Sequence, residues 1–411
     1  MYRAAFNFSY RLTVLVMHTP KKNTFTVIFI IAATISLIQS TNNITAEKNT
    51  NTDTSSPYIP DEKGIMMYDY GRNIGKVYNP LIIAQGGQKY HQNYLNDSND
   101  NKSKEYFLNT ADWLVNHAEE KEFNGIRYSL WGYHFPWPFY KGLNPPYSSA
   151  LAQSAGIQIL IWAHSMTGDK RYLDAADKAF GSFLVDYDKG GVISGGEIKE
   201  NKSGVNTGNS IFLQEIAKPG YPKTYVLNGH IFSLIDIWNY YEYTHNENAS
   251  IVFNKGLKAL KDNLWRYDTN KWSYYDQIGH LASTGYQKIH VEQLAKLYQI
   301  TDEPLLKDYS DKFARYLSVV QNTEIITALN NKGISLANIG KINESIMSFD
   351  KALEIDPTNV ATLNNKGFAL AKLGKYNESI ALYDKALEID PTYVLALNNK
   401  NTSVKVLASR A

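Results

Sequence analysis

The stretch from Trp272 to Leu294 concentrates side chains that can transfer protons. It holds tyrosines, histidines and carboxylates in a short span: Tyr274, Tyr275, Asp276, His280, Tyr286, His290 and Glu292. Turn residues fill its first half, whereas Ile289, Val291 and Leu294 give its second half a helical period. The pattern predicts a loop that runs into a helix, a common place for a site held by a rigid scaffold. A tyrosine-rich turn packed on its own helix is the alternative.

Length and composition describe a globular chain with more than one domain. Its 411 residues carry 42 basic and 40 acidic side chains, and a net charge of +2 gives no field that would attract nucleic acid. Tyrosine is abundant, with 30 residues against 16 Phe and 7 Trp, and its flat face and single hydroxyl suit sugar recognition as well as half-buried helices. The absence of cysteine excludes disulfides and cysteine-ligated zinc.

The N-terminal 40 residues have the pattern of a targeting segment. Lys21 and Lys22 precede an apolar run from Thr24 to Ile38, which fits a signal peptide or an uncleaved signal anchor. Positive charges before such a run place that side in the cytoplasm. We therefore predict a cytoplasmic tail and anchor over 1–40 and a single-pass membrane protein whose remainder is extracytoplasmic, or a secreted protein if the run is cleaved. A disordered stalk is predicted over 41–63.

Three segments after residue 150 repeat one pattern, in which an apolar helix, a turn with threonine and an amphipathic helix follow each other. Thr167, Thr244 and Thr301 occupy the equivalent turns. An apolar helix followed by an amphipathic one is what the inner and outer helices of an α/α toroid require. Glycine- and tyrosine-rich stretches at 188–226 and 265–284 predict β-hairpin insertions. We predict a mainly α fold with such a toroid over 64–320; a generic helical solenoid is the alternative.

The C-terminal residues 321–411 repeat with a period of 34 residues. Equivalent positions carry the same small residues and prolines: Gly333 and Gly367, Ala352 and Ala386, Pro357 and Pro391. This matches the tetratricopeptide (TPR) pattern and predicts helical hairpins. Two repeats and a fragment are few for independent stability, so we expect them to stack on the preceding domain or to recruit an unidentified protein partner.

Several reactions would suit a groove lined by tyrosines and other aromatic side chains. Hydrolysis needs two carboxylates, and five are available: Glu197, Glu215, Asp236, Asp276 and Glu292. The histidines form no HExxH motif, which disfavours a metal site, and no sequence motif implies a cofactor. We therefore expect neither a metal nor a cofactor. Proton abstraction at carbon 5 of a uronic acid is the better fit. It needs a base on one ring face and donors or cations on the sugar carboxylate.

Four blocks of the sequence resemble the C-terminal domain of D-glucuronyl C5-epimerases. They are YNPLIIAQGGQKY (78–90), SSALAQSAGIQILIWAHSMTGDKRYL (148–173), YVLNGHIFSLIDIW (225–238) and the stretch 272–294. The resemblance implies an α/α toroid and an enzyme of polysaccharide biosynthesis that inverts carbon 5 of glucuronic acid residues in a heparosan-like glycosaminoglycan. A uronan lyase or hydrolase using the same groove, or a non-catalytic glycan-binding TPR scaffold, remain alternatives.

The same resemblance places the catalytic tyrosine of the family on Tyr286. Its supporting histidine and glutamine fall on His290 and Gln293, and the tyrosine–aspartate pair that precedes them falls on Tyr275 and Asp276. A tyrosine can act as a base if a neighbour lowers its pKa from about 10.

The second catalytic element of the family, a Glu-Tyr-Pro shortly before VLNG, is altered in this chain. Glu215 matches the glutamate of this motif. The next residue is Ile216, so the tyrosine of the motif is missing unless a longer loop brings Tyr221 into its place. With one competent base only, the protein would be a one-sided, lyase-like enzyme or inactive.

The remaining candidates for substrate binding are Gln85, Arg127, Gln153, Asn228 and His280. Arg127 is a candidate for the substrate carboxylate because of its aromatic neighbourhood. Gln153 and Asn228 would bind sugar hydroxyls, or else pin the backbone or cap helices. His280 would orient a partner or act itself.

Overall fold

The computed structural model describes residues 56–71, 73–195 and 210–410. The apolar run at 24–38, and with it the predicted tail and anchor over 1–40, lies outside the described residues. Within the described part of the chain, no helix combines the length and the apolar character needed to cross a membrane.

Helices form most of the described chain. In order they are α1 (Pro80–Asn96), α2 (Asn101–Asn116), α3 (Ala150–Thr167), α4 (Lys170–Phe180), α5 (Leu227–Thr244), α6 (Glu247–Asn263), α7 (Thr284–Thr301), α8 (Pro304–Asn338), α9 (Ile342–Ile355), α10 (Val360–Lys372), α11 (Tyr376–Ile389) and α12 (Val394–Ala408). The strands are β1 (Tyr58–Pro60), β2 (Met66–Asp69), β3 (Lys76–Val77), β4 (Glu119–Phe123), β5 (Ile126–Leu130), β6 (Ile193–Gly195) and β7 (Ile211–Leu213). The mainly α class is thereby confirmed.

The first eight helices pack as an inner and an outer layer. The inner helices α1, α3, α5 and α7 contact one another in that order, and each packs against the outer helix that follows it. The inner α3 is buried on nearly every side, whereas the outer α4 buries only residues such as Tyr172 and Ala176. This is the α/α toroid that the alternation of apolar and amphipathic helices predicts.

The threonines at the repeated turns have a structural role. Each is the last residue of its inner helix, and its hydroxyl donates to the carbonyl four residues earlier: Thr167 to Ala163, Thr244 to Tyr240 and Thr301 to Leu297, at 2.7, 2.7 and 2.8 Å. The same hydroxyl oxygen accepts the N–H two residues later, at Asp169, Asn246 and Glu303. The side chain thus satisfies groups that the helix end leaves free.

Short antiparallel sheets lie between the helices. β1, β2 and β3 form one sheet, and β4–β5 and β6–β7 form two hairpins. The predicted stalk over 41–63 is wrong at its end, because Tyr58–Pro60 pairs with β2 and the Tyr58 ring packs edge-on against Tyr68 at 5.1 Å. The strand pairing and the ring contact of Tyr58 give these residues a defined structure, although the sequence that precedes them is polar.

Helical hairpins continue beyond the toroid without a linker. The single helix α8 runs from Pro304 to Asn338, so the predicted boundary at 320/321 falls inside it. The glycine that recurs in both repeats has a packing reason: a Cβ on Gly333 would meet the Phe349 ring at 2.5 Å, and one on Gly367 the Tyr383 ring at 2.7 Å. Small residues there let neighbouring helices approach closely.

Candidate functional site

Tyr275 and Tyr286 come together where a loop enters helix α7, as the sequence predicts. Ser283 caps the helix, and its hydroxyl oxygen accepts the N–H of Tyr286 at 3.3 Å, which fixes Tyr286 in the first turn. The carbonyl of Tyr275 accepts the N–H of Leu227 at the start of α5, at 2.9 Å. The two phenol rings are in contact, with centroids 4.6 Å apart. Two inner helices therefore hold the pair.

Glu215 completes a group that we call the proton cluster: Glu215, Tyr275 and Tyr286. The hydroxyl of Tyr275 donates to Oε1 of Glu215 at 3.0 Å. The other oxygen, Oε2, is buried and has no hydrogen-bond partner in the described structure. It lies against helix α5, where a Cβ on Gly229 would come within 2.2 Å of it. Residues 60 positions apart in the chain are thus hydrogen-bonded at one site.

The environment of Glu215 suits a proton acceptor at neutral pH. Burial raises the pKa of its carboxyl to about 7, the charge of Asp276 raises it as well, and the hydrogen bond from Tyr275 opposes both. A carboxyl whose pKa lies near the working pH is half ionised and exchanges protons readily. Glu215 is therefore the member of the cluster whose protonation state can change near neutral pH.

The tyrosines of the cluster have pKa values that are raised. Burial raises the pKa of Tyr286 above its usual 10, the charge of Glu215 adds to the shift, and the Tyr275 phenol opposes it. Burial and the Glu215 charge raise the pKa of Tyr275 too. The condition under which a tyrosine would act as a base, a neighbour that lowers its pKa, is not met at Tyr286, because burial and the charge of Glu215 outweigh the hydrogen bond with Tyr275. Tyr286 stays a neutral phenol, able to donate a proton or relay one.

Asp276 is the centre of a second hydrogen-bonded group of side chains beside the proton cluster. Its side chain is fully buried, and Oδ1 accepts the backbone N–H groups of Ile278 and His280, both at 3.1 Å. Oδ2 accepts the hydroxyl of Tyr140 at 2.8 Å and contacts Nδ1 of His280 at 2.6 Å. Sequence reasoning missed Tyr140, which lies 136 residues from Asp276. Tyr140 belongs to the stretch 127–147, whose many aromatic residues and prolines were the feature of the sequence that could have indicated it.

His290 and Gln293 lie in a buried layer behind these groups. Nδ1 of His290 is 2.8 Å from the Ser273 hydroxyl, which donates in turn to Gln287 at 2.6 Å. Burial lowers the pKa of His290 to about 3, so the ring is neutral. Gln293 donates to the backbone carbonyl of Asn228 at 2.9 Å. These side chains join α7 to its neighbours.

Ile216 and Tyr221 pack in an aromatic cluster, against which Tyr275 also packs. Ile216 is buried in an aromatic cluster with Tyr133, Phe135, Tyr140 and Tyr147. The hydroxyl of Tyr221 donates to the carbonyl of Lys141 at 3.3 Å, so this hydrogen bond joins Tyr221 to the aromatic loop and not to Glu215.

Two of the remaining candidates have their contacts outside the proton cluster. Gln153 is fully buried and pins strand β5, since it accepts the N–H of Trp131 at 2.8 Å and donates to the Ser129 carbonyl at 3.0 Å. Arg127 is 82% exposed and pairs with Glu122 across the β4–β5 hairpin. Gln85 is half-buried on α1.

The other candidate carboxylates do not join this group. Asp236, whose pKa burial raises to about 7, accepts the Ser154 hydroxyl at 2.9 Å between α5 and α3. Glu292 lies further along α7, and burial raises its pKa. Glu197 lies outside the described residues. Within the described ranges, no group of three or more His, Asp or Glu could hold a metal ion.

Comparison with known proteins places residues 124–315 in the family described as D-glucuronyl C5-epimerase C-terminus. Residues 326–359 and 360–393 each match a tetratricopeptide repeat, which confirms the predicted repeats.

Two curated relatives match part of this chain. An uncharacterized protein of Methanocaldococcus jannaschii is 32% identical over 249 residues, which are 58% of this chain and 78% of that protein. The D-glucuronyl C5-epimerase of Caenorhabditis elegans is 30% identical over 193 residues, 42% of this chain, and the match spans only 29% of that enzyme.

Among solved structures, the unsaturated glucuronyl hydrolase of Streptococcus agalactiae is 18% identical, with a TM-score of 0.36 over 58% of this chain and 56% of that one. This score is too low to carry an inference. On the sequence matches, the chain belongs to the D-glucuronyl C5-epimerase C-terminus family and carries TPR repeats behind that domain.

Proposed function

We propose that the protein inverts carbon 5 of glucuronic acid residues in a polysaccharide by removing and returning a proton. The observation that carries the proposal is the hydrogen bond from Tyr275 to Glu215, beside Tyr286, with the carboxyl of Glu215 at a pKa of about 7. A base whose pKa lies near the working pH suits this reaction, because it is partly ionised and still binds a proton well. The family supports the reaction class.

The geometry suggests how the proton cluster acts. All three members are half-buried; Tyr286 would contact the sugar, and Glu215 accepts the hydrogen bond from Tyr275. The C5–H bond breaks, and its electron pair spreads into the sugar carboxyl group. The proton passes to the phenol oxygen of Tyr286 while phenolic protons move through Tyr275 to Glu215. Inversion is completed when the electron pair returns from the sugar carboxyl group and a proton is added to carbon 5 from the opposite ring face. No free phenolate has to form, so the raised pKa values of the tyrosines do not block the transfer.

The surroundings of the site are suited to a sugar chain. Phe139, Ile278 and Leu281 are large, exposed apolar side chains on the segments that carry Tyr140 and Asp276. Exposed apolar groups next to buried polar ones favour a ligand that has both apolar ring faces and hydroxyls. We propose a heparosan-like polymer as the first substrate to try.

The test compares the full chain with its Tyr286→Phe variant on glucuronic acid polymers. NMR of the product should show iduronate-type signals with the wild type. The variant should lose about 100-fold or more in rate, the usual contribution of a proton-transfer group, and retain binding to an immobilised polymer. Unsaturated ends, seen by ultraviolet absorbance, would replace the proposal with a lyase. Reducing ends formed without inversion would indicate a hydrolase.

A non-catalytic glycan-binding protein is the second candidate, and the burial of Ile216 next to Glu215 favours it. It would bind the polymer and leave carbon 5 untouched, so the same NMR experiment separates the two. In either case we propose that the TPR hairpins recruit a protein partner and that the protein works outside the cytoplasm.

A further inference from the structure

Helix α12 leaves an apolar face uncovered within the described part of the chain. It holds the place in its repeat that α10 holds in the preceding repeat, 34 residues earlier. On α10, Leu363 is buried in a cluster with Tyr383 and Ala386 of α11. The corresponding residue of α12, Leu397, is 46% exposed, although α12 packs against α10 and α11 on another side. The face that α11 covers on α10 is therefore open on α12.

The sequence of this face departs from the repeat at one position. Gly333 and Gly367 let a ring of the following helix approach closely, and a Cβ on Gly367 would lie 2.7 Å from the ring of Tyr383. The third copy of the repeat carries Asn401 at this position. Its side chain fills the space that such a ring would need, so a helix like α11 cannot pack on α12 in the same way. The face is suited to a different occupant.

The exposed residues of this face have the spacing of a coiled coil. They recur at intervals of three and four residues, as the a and d positions of a heptad do, and form what we call the α12 stripe: Val394, Leu397, Asn401, Val404 and Ala408. A single asparagine at an a position sets the register and the oligomeric state of a parallel two-stranded coiled coil. The amide then pairs with the same asparagine of the second helix, whereas an apolar side chain opposite it would leave it unpaired. The occupant that matches the stripe is a second copy of it.

The flanking charges and the packing of α12 are compatible with this occupant. Lys400 and Lys405 flank the stripe and would face each other across a parallel pair of helices. Lys400 is paired with Asp384 of α11 at 2.6 Å, which offsets this repulsion. Ala396 and Ser403 are buried on the other side of α12 and already hold it in place, so association does not have to order the helix.

We propose that the protein partner of the TPR hairpins is a second copy of this chain, bound by parallel packing of the two α12 stripes with Asn401 beside Asn401 of the other copy. The proposal rests on the proposed role of the TPR hairpins and does not depend on the reaction at carbon 5. It joins two toroids in one dimer through a helix that carries no member of the proton cluster.

Cysteine cross-linking tests the register, because the chain has no cysteine of its own. Asn401→Cys, made in the full chain and kept in the same detergent as every other variant, introduces one thiol at the middle of the stripe. A disulfide needs Cα atoms about 4.4–6.8 Å apart, and facing a positions of a parallel pair meet this condition. Mild oxidation should therefore make the linked dimer the main product. Thr402→Cys is the matched control, because Thr402 is exposed on the same helix but lies off the stripe, and it should give little dimer.

Sedimentation equilibrium tests the stripe itself. The wild-type chain should have the mass of a dimer, and the Leu397→Glu, Val404→Glu double variant that of a monomer, because association would bury like charges. Both side chains are exposed in the single chain, so the melting temperature of the TPR hairpins should change little. Thr402→Glu, which adds a charge off the stripe, should remain a dimer.

A wild-type chain that stays monomeric would overturn the proposal, and so would equal cross-linking at positions 401 and 402 or a dimer that survives the double variant. Epimerisation is measured separately on the same samples. A dimer that leaves carbon 5 unchanged would overturn the proposed reaction and support this interface, whereas a monomer that inverts carbon 5 would overturn this interface and support the reaction.

Discussion

The raised pKa of Glu215 can be measured directly. Burial moves it from its usual 4.5 to about 7, a shift that corresponds to about 3 kcal/mol between the two protonation states. The folded protein favours the protonated carboxyl, because the folded-state pKa is the higher one. The stabilisation from this protonated form is fully present below about pH 4.5 and is lost as the pH rises through about 7. Ionisation of Glu215, which its proposed role as a base requires, therefore lowers the free energy of unfolding.

Tyr275→Phe perturbs this balance with little change in shape. It deletes the hydroxyl that donates to Oε1 of Glu215 at 3.0 Å and that favours the charged carboxylate. A hydrogen bond to a charged group contributes about 1.5–3 kcal/mol, so the pKa of Glu215 should rise further, by about one to two units. At pH 7 the carboxyl would then be mostly protonated.

The assay is NMR of protein labelled with carbon-13 at the glutamate carboxyl, titrated from about pH 3.5 to 10. The Glu215 resonance is identified by its loss in Glu215→Gln. Tyr221→Phe is the matched control, because its hydroxyl bonds the Lys141 carbonyl, and it should leave the titration unchanged. A midpoint near 4.5 in the wild type, or no upward shift in Tyr275→Phe, would refute the reasoning.

Three further predictions follow from packing and burial. Gly229→Ala places a Cβ 2.2 Å from Oε2 of Glu215, so it should move the Glu215 resonance and reduce epimerisation; an unmoved resonance would contradict the contact. Gly367→Ala meets the Tyr383 ring at 2.7 Å and should destabilise the TPR hairpins by about 1–3 kcal/mol, seen as a lower melting temperature, with an unchanged melt as the opposing result. His290, whose pKa burial lowers to about 3, should show no imidazole titration in NMR between pH 5 and 8, where a midpoint near 6.5 would disprove its burial as a neutral ring.

The helical layers could be predicted because their signals are local. The apolar inner helices, the threonine at each turn and the 34-residue repeat are all visible within one stretch of sequence. The continuity of α8 across the predicted boundary could not be seen, because a repeat pattern marks where a unit recurs and not where a helix ends.

The site was predictable in part. Tyr275, Asp276 and Tyr286 lie on one segment, and the sequence indicates that segment. The contacts from Glu215 and Tyr140 depend on long-range packing, since they join residues 60 and 136 positions apart. Arg127 shows the limit of reasoning from neighbours in sequence, because its aromatic surroundings point inward while its own side chain pairs with Glu122 on the surface.

The most direct test of the central claim is solvent exchange at carbon 5. The full chain is incubated in deuterium oxide with a polymer of glucuronic acid, and the sugar is examined by NMR. The account predicts deuterium at carbon 5 together with iduronate-type signals, both lost in a Tyr286→Phe, Glu215→Gln double variant. A polymer that binds the wild-type protein but acquires no deuterium at carbon 5 would contradict it.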